Sequence, residues 1–214
     1  MFAQVVALLP DSFRGYYNLG AVYVLQGRYS EALDVLERSI AIRPTSAAYN
    51  NLATADFYLR RYEEADRNYE KALKTGGENY LYLGNLGAAY YWTPGKRGQA
   101  AGAFRQAIAL AKKKLEVNAR DATLLSRLAT YHAMLAEREP ALSYLQRALS
   151  VAPDDPDGRF RAALVYNQSG ETDRTLDWLE KALAAGYSPT TVRDTPDFDK
   201  LRDNPRFQKL LREK

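Results

Sequence analysis

Cysteine is absent from this 214-residue chain and histidine occurs once, at His132. Those two shortages exclude disulfide frameworks, thiol nucleophiles, Cys or Cys/His zinc sites and any chemistry that needs two imidazoles. No apolar run approaches the roughly 18 to 20 residues of a membrane helix, and the opening MFAQVVALLP lacks the basic stretch of a signal peptide. A cytoplasmic chain without a membrane partner is expected. No block of one charge sign stands out either: 30 Lys plus Arg are interspersed with 26 Asp plus Glu, so a net charge of +4 argues only weakly for a polyanionic partner. What the chain does have is 46% hydrophobic and 26% charged residues, ordinary values for a folded globular chain, and a surplus of rings, with 16 Tyr, 7 Phe and 2 Trp.

A spacing of small residues organises the chain. Leu19-Gly20 is followed by Ala32 and Pro44 at intervals of twelve, and the same ruler places Ala53, Ala65 and Gly77, then Ala129, Ala141 and Pro153, then Ala163, Thr175 and Tyr187. A further unit runs from Gly87 to Ala100, one residue longer, with the extra residue inside the turn-rich TPGKRGQ. Within a unit, Tyr16, Leu19, Gly20 and Tyr23 stand at helical spacing before Gly27, and Ala32, Leu33, Leu36, Ser39 and Ile40 stand likewise after it. Each unit therefore predicts two amphipathic helices, with small residues where their axes come closest. Pro44 would end the second helix, because it lacks an N–H and forces its predecessor extended.

This pattern resembles the tetratricopeptide repeat, a helix-turn-helix unit of roughly 34 residues. The residues that carry the resemblance are Tyr16, Leu19-Gly20, Tyr23, Ala32, Leu36, Ser39 and Pro44, with counterparts in four later units. Departures from the family pattern are Asp56 and His132 where other units have Tyr, the absence of a terminal Pro in the third unit, and Thr175 in place of a close-packing Ala, which predicts looser packing there. The resemblance implies an all-α, right-handed superhelical solenoid. Five units are expected at 13–46, 46–79, 80–121, 122–155 and 156–189, with residues 1–12 as a partial repeat and 190–214 as a C-terminal helical cap. Residues 2–9 align with the end of a second helix whose first helix is missing, which suggests a piece of a larger protein. Seven added residues in the third unit, close to two helical turns, predict a second helix lengthened through ALAKKKLEVN, with Lys112, Lys113 and Lys114 either as an exposed helix end or as a basic docking knob. The tail, the long third unit and its YWTPGKR turn resemble the C-terminal arrays of bacterial multidomain signalling proteins, which follow Ser/Thr kinase, nucleotide cyclase or winged-helix segments.

In such arrays the first helices line a concave groove, which implies a protein or peptide partner. The face opposite the packing stripe carries Tyr17, Asn50, Phe57, Tyr58, Tyr91, Trp92 and Phe160 as candidate groove residues. Beside them runs a second stripe, Asn18, Asn51 and Asn85, replaced by Arg127 and Arg161 in the last two units. An amide has both a donor and an acceptor, so this row can pair with the main chain of an extended peptide, or equally with neighbouring helices and water. The Lys-rich clamp of chaperone-tail-binding relatives is absent.

No convergent set of titrating groups predicts an enzyme, and no cofactor or metal is expected. His132 falls on the packing side of its helix, and paired acids such as Glu63-Glu64 lie at helix starts, where they serve helix dipoles. A nucleic-acid-binding helical repeat is the alternative suggested by the Arg and aromatic content, but the rings follow the packing ruler and no side-chain pair repeats as a base code. The open ends of an array also leave end-to-end self-association as a further reading.

Overall fold

The computed structural model describes residues 10–212, and the front segment expected as a partial repeat therefore lies almost wholly outside the described residues. Those described form α-helices and one 3₁₀ turn, with no strand among them. In chain order the helices are α1 (Phe13–Leu25), α2 (Tyr29–Ile42), α3 (Ser46–Tyr58), α4 (Tyr62–Gly76), α5 (Tyr80–Trp92), α6 (Arg97–Val117), α7 (Ala122–Met134), α8 (Arg138–Val151), α9 (Pro156–Gln168), α10 (Thr172–Ala184), α11 (Pro189–Asp194) and α12 (Pro205–Arg212). The 3₁₀ turn, Pro196–Leu201, precedes α12.

First and second helices of these hairpins start by different means. The side chains of Ser12, Thr45, Asn79, Asp121 and Asp155 accept hydrogen bonds from backbone N–H groups at the starts of α1, α3, α5, α7 and α9, satisfying donors that a helix leaves orphaned. No side chain caps α2, α4, α8 or α10. Each of these follows a tight turn whose pivot has a positive φ: Gly27, Arg60, Ala136 and Gly170, at 73°, 65°, 60° and 74°. Only glycine adopts that conformation without steric cost, so Arg60 and Ala136 hold it against their own Cβ.

The chain divides into two compact units, residues 1–103 and 104–214, with the boundary inside α6. In the first unit α1 packs on α2 and α3 on α4, while α2 meets α3 and α4 meets α5. Contact is closest at the small residues: a Cβ added to Gly20 would lie 2.5 Å from Cγ of Leu36, which is itself fully buried. Ala32, Ala53 and Ala65 are likewise without exposure. In the second unit α7 pairs with α8 and α9 with α10, and Ala129, Ala141, Ala162 and Ala163 take the same buried places. Thr175 does not loosen this packing, contrary to the sequence expectation. It is fully buried, and its hydroxyl donates to the Glu171 carbonyl one turn earlier at 3.0 Å, so its polar atom needs no space of its own. Beyond α10, Val192, Phe198, Leu201 and Phe207 cover the apolar side of α9 and α10 in one cluster. Helix α6 runs 21 residues, and Ala111 and Leu115 remain buried along its added turns while Lys112, Lys113 and Lys114 are exposed.

Two carboxylates are buried in the first unit. Asp66 has no side-chain exposure and pairs with Lys96 at 2.9 Å, tying the TPGK turn to α4. Asp56 accepts a hydrogen bond from Asn68 Nδ2 at 2.9 Å. Burial pushes its carboxyl up to about 6, with the Asn68 hydrogen bond and the Arg61 charge opposing and Glu64 and Glu37 reinforcing the rise.

Gly20→Leu should cost about 1 to 3 kcal/mol in chemical denaturation, because Leu36 has nowhere to move and overpacking outweighs the gain in helix propensity. A second expectation concerns pH. The folded state holds the Asp56 proton more tightly than the unfolded chain does, so its contribution to stability is present in acid and is lost as pH rises from about 4 through about 6. Asp56→Asn keeps the acceptor for Asn68 and removes the titration. The variant should melt higher than the parent at pH 7, with the difference closing toward pH 4.

Candidate peptide-binding surface

The candidate residues lie on the odd-numbered helices, in two sets that belong to different units. In the first unit Asn18, Asn51 and Asn85 are half-buried, and α3 and α5 bring two of them together through Asn50. Asn85 Nδ2 donates to Asn50 Oδ1 at 3.1 Å, and Asn50 Nδ2 reaches Asn51 Oδ1 at 3.4 Å. Asn50 is 8% exposed and is spent on its neighbours, so it is a spacer in the row and not a surface contact. Its burial follows from the helix crossing, which puts it between α3 and α5 instead of outside them. Asn51 and Asn85 keep amide groups at the surface, and Asn18 makes no side-chain hydrogen bond among the described residues.

The rings of this unit form a continuous chain. Tyr58 stacks on Tyr29 with centroids 4.7 Å apart and meets the edge of Phe57 at 5.5 Å; Phe57 meets Tyr62 at 5.7 Å. Tyr62 then stacks on Trp92 at 6.3 Å, Trp92 meets Tyr91 edge-on at 5.5 Å, and the Arg97 guanidinium lies 4.4 Å from the Tyr91 centroid. Such stacked and edge-to-face pairs are worth about 0.5 to 1.5 kcal/mol each beyond their buried area. Tyr29 and Tyr62, the first residues of α2 and α4, join this chain from second helices, outside the face from which the groove candidates come. The signal that could have found them is a tyrosine two residues after the positive-φ pivot in both hairpins, Gly27 and Arg60. Tyr17 packs on the Leu33–Leu36 cluster and, like Phe57, Tyr58, Tyr91 and Trp92, is half-buried. These rings offer faces and edges, not whole side chains.

In the second unit the asparagines give way to a charged group. Arg161 binds Asp157 one turn earlier through Nε at 2.8 Å and Nη2 at 3.3 Å, a bidentate pair within α9. Burial lowers the Arg161 pKa, but Asp157 outweighs it and holds the guanidinium above its ordinary value. Burial alone would raise Asp157, yet the guanidinium of Arg161 and, more weakly, that of Arg127 bring its carboxyl below the usual range. Arg127 has no carboxylate partner of its own among the described residues. Burial and the neighbouring Arg161 charge push it down, with Tyr131 and Asp157 partly compensating. Two guanidinium groups thus share one carboxylate, leaving a surplus of one positive charge. Asp157 was not singled out in the sequence, although an acid four residues before an arginine on a helix is a recognisable pairing. Phe160 does not belong to this surface. It is 4% exposed, stacked 4.2 Å from Tyr187 and edge-on to Phe198, because the terminal elements fold over it. His132 is buried as well, with Nδ1 bonded to Glu137 and its ring stacked on Tyr144 at 5.4 Å.

Family models of the tetratricopeptide repeat match residues 13–46, 45–77 and 127–189, together more than half of the chain. Over 184 residues the chain is 25% identical to anaphase-promoting complex subunit 3 of Schizosaccharomyces pombe, a match covering 86% of this chain and 26% of that protein. It is also 25% identical over 83 residues to Hsp70-Hsp90 organizing protein 3 of Arabidopsis thaliana, covering 38% of this chain and 15% of the relative. The chain therefore spans about a quarter or less of the curated relatives it matches. Among solved structures, a thermophilic TPR protein of Thermus thermophilus is similar with a TM-score of 0.63 and 26% identity, covering 87% of this chain and 99% of that one. The APC/C hetero-tetramer Cut9-Hcn1 shares the fold, with a TM-score of 0.61 at 16% identity over 99% of this chain and 38% of that one. Capped first helices, positive-φ pivots and small residues at each hairpin contact, together with these matches, make the chain an all-α helical repeat solenoid that belongs to the tetratricopeptide repeat family.

Proposed function

We propose that the chain is a protein–protein interaction module that takes up a peptide or protein segment along the first helices of its hairpins. The observation that carries this is the row of half-buried amides, Asn18, Asn51 and Asn85, set beside the half-buried rings of Tyr17, Phe57, Tyr58, Tyr91 and Trp92. Amides supply donors and acceptors for an extended main chain, and ring faces supply apolar contact with little loss of side-chain freedom. In the second unit Arg127 and Arg161, sharing Asp157, favour an acidic side chain in the bound segment. Asn50 and Phe160 take no part in this reading.

Family membership supports it, since tetratricopeptide repeats generally act as non-enzymatic scaffolds for protein partners. The relatives' names point the same way: one is a subunit of an anaphase-promoting complex and another organizes Hsp70 and Hsp90. The array's resemblance to the C-terminal arrays of bacterial signalling proteins favours a regulatory or scaffolding part of such a protein in the cytoplasm. No helix among the described residues is long and apolar enough to cross a membrane.

Selection from a random peptide library on the immobilised chain should enrich binders whose synthetic versions have micromolar dissociation constants, on the order of −8 kcal/mol. The double variant Asn51→Ala, Tyr91→Ala should weaken them by about tenfold or more while it still unfolds cooperatively, at a melting temperature lowered by only about a few degrees through the lost Tyr91–Trp92 contact. Binding that survives in this folded variant would place the recognition surface elsewhere.

A further inference from the structure

Second helices of the hairpins run 13 to 15 residues, except α6, which runs 21. Its added turns belong to the folded body, because Ala111 is fully buried and Leu115 is 9% exposed on their inner side. The outer side gathers charge of one sign. From 105 to 120 five exposed cations, Arg105, Lys112, Lys113, Lys114 and Arg120, stand against Glu116 alone, an excess of four. Arg147 of α8 reaches the same end of the helix, its Nη2 donating to the Ala119 carbonyl at 3.4 Å. The next acid along the chain, Asp121, is spent on the start of α7, where it accepts from the Leu124 N–H at 2.9 Å.

Cations elsewhere on the surface are matched. The C-terminal segment is equally rich in them, but there Arg202 holds Asp199 and Arg206 holds both Asp177 and Glu180. None of the five on and just after α6 has a carboxylate or a ring against it among the described residues. The helix dipole does not account for the group, since its pull on a cation falls off within the last turn and so reaches Lys114 but not Lys112 or Arg105. The cations also surround apolar surface. Leu110, Lys113, Lys114 and Val117 fall at i, i+3, i+4 and i+7, so two apolar side chains about 10 Å apart along the helix bracket two ammonium groups. Leu110 is half-buried, and Val117 is 91% exposed.

We propose that the lengthened end of α6 docks an acidic segment of a partner protein, one that sets apolar residues between its carboxylates. Unmatched positive charge calls for an anionic partner, and Leu110 and Val117 call for one that also brings apolar side chains. A phosphate backbone supplies only the charge, and the stretch has no aromatic ring on which a base could stack. A membrane surface needs a broad apolar face, and two side chains do not make one. This site lies on a second helix, apart from the first-helix surface, and does not depend on what binds there.

Titration of the full ¹⁵N-labelled chain with a synthetic peptide of repeated Glu-Glu-Leu tests this. Saturable shifts are expected at the amides of residues 110–117, and affinity should fall about tenfold between low and physiological salt. A Glu-Glu-Ser repeat of equal length should bind about threefold more weakly, and Val117→Ser, at an exposed position, should bring the Glu-Glu-Leu peptide to the same level. Lys113→Gln with Lys114→Gln should lower its affinity by about tenfold without lowering the melting temperature. A short DNA duplex and phosphatidylserine vesicles should both bind more weakly than the peptide. Shifts confined to α7 and α9, where Arg127 and Arg161 lie, equal binding of the Glu-Glu-Ser repeat, tighter binding of the duplex or the vesicles, or undiminished binding in the lysine variant would overturn the proposal. The Asn51→Ala, Tyr91→Ala variant should keep the response at 110–117, so failure of the first-helix reading and failure of this one are told apart.

Discussion

The close approach of two helices within each hairpin is the constraint on which everything else in this protein rests. Where Gly20 meets Leu36 there is no room for even one more carbon, and the alanines at the matching places of later hairpins are buried without exposure. That contact sets the distance between the axes, and hence which side chains stand between neighbouring hairpins and which stand clear of them. Helix starts divide the labour by chemistry and not by linker length. First helices are capped by Ser, Thr, Asn or Asp, whereas second helices, after linkers equally short, rely on a positive-φ pivot. Arg60 and Ala136 accept strain at that pivot because the hairpin contact cannot form otherwise.

Aromatic residues do two jobs in this frame. At the position of Tyr23, Tyr90 and Tyr166 they bridge neighbouring elements and carry a cation on one face. Near the hairpin turns of the first unit they build a chain from Tyr29 to Tyr91 in which each ring is held by the next. A surface made this way is stiff. Its rings are ordered before any partner arrives, which lowers the entropic cost of binding. Asp56 interrupts the first of these patterns and accepts an unfavourable burial of its charge in doing so.

The two units differ in how they treat the same stripe of the first helix. Asn51 and Asn85 in the first unit are joined through Asn50 in a neutral network, and Asn18 stands outside it. Arginines in the second unit share a single carboxylate, so the stripe changes there from hydrogen-bonding capacity to positive charge. Burial strengthens that charge's hold on any anion brought to it, because water competes less well in a low-dielectric setting.

The all-helical repeat architecture and the buried small residues were legible in the sequence, since a twelve-residue ruler of Gly and Ala at helical spacing has few physical explanations besides close-packed helical pairs. The absence of cysteine and the single histidine also narrowed the chemistry before any fold was known. Side-chain availability was a different matter, because it depends on neighbours distant in sequence. Asn50 and Phe160 sit on the expected face of their helices, yet Asn85, 35 residues away, consumes the first, and Tyr187 and Phe198 bury the second. Tyr62 entered its site by stacking on Trp92 of the next hairpin, a contact that no single-helix pattern displays. Thr175 was misjudged because its hydroxyl finds an acceptor in its own helix, leaving the methyl to pack as alanine would. Periodicity, then, determined which residues form helices and which faces meet, since both follow from local geometry. Tertiary structure decided which polar groups and rings remain free to act, since a hydrogen bond or a stack is spent only when its partner arrives in space.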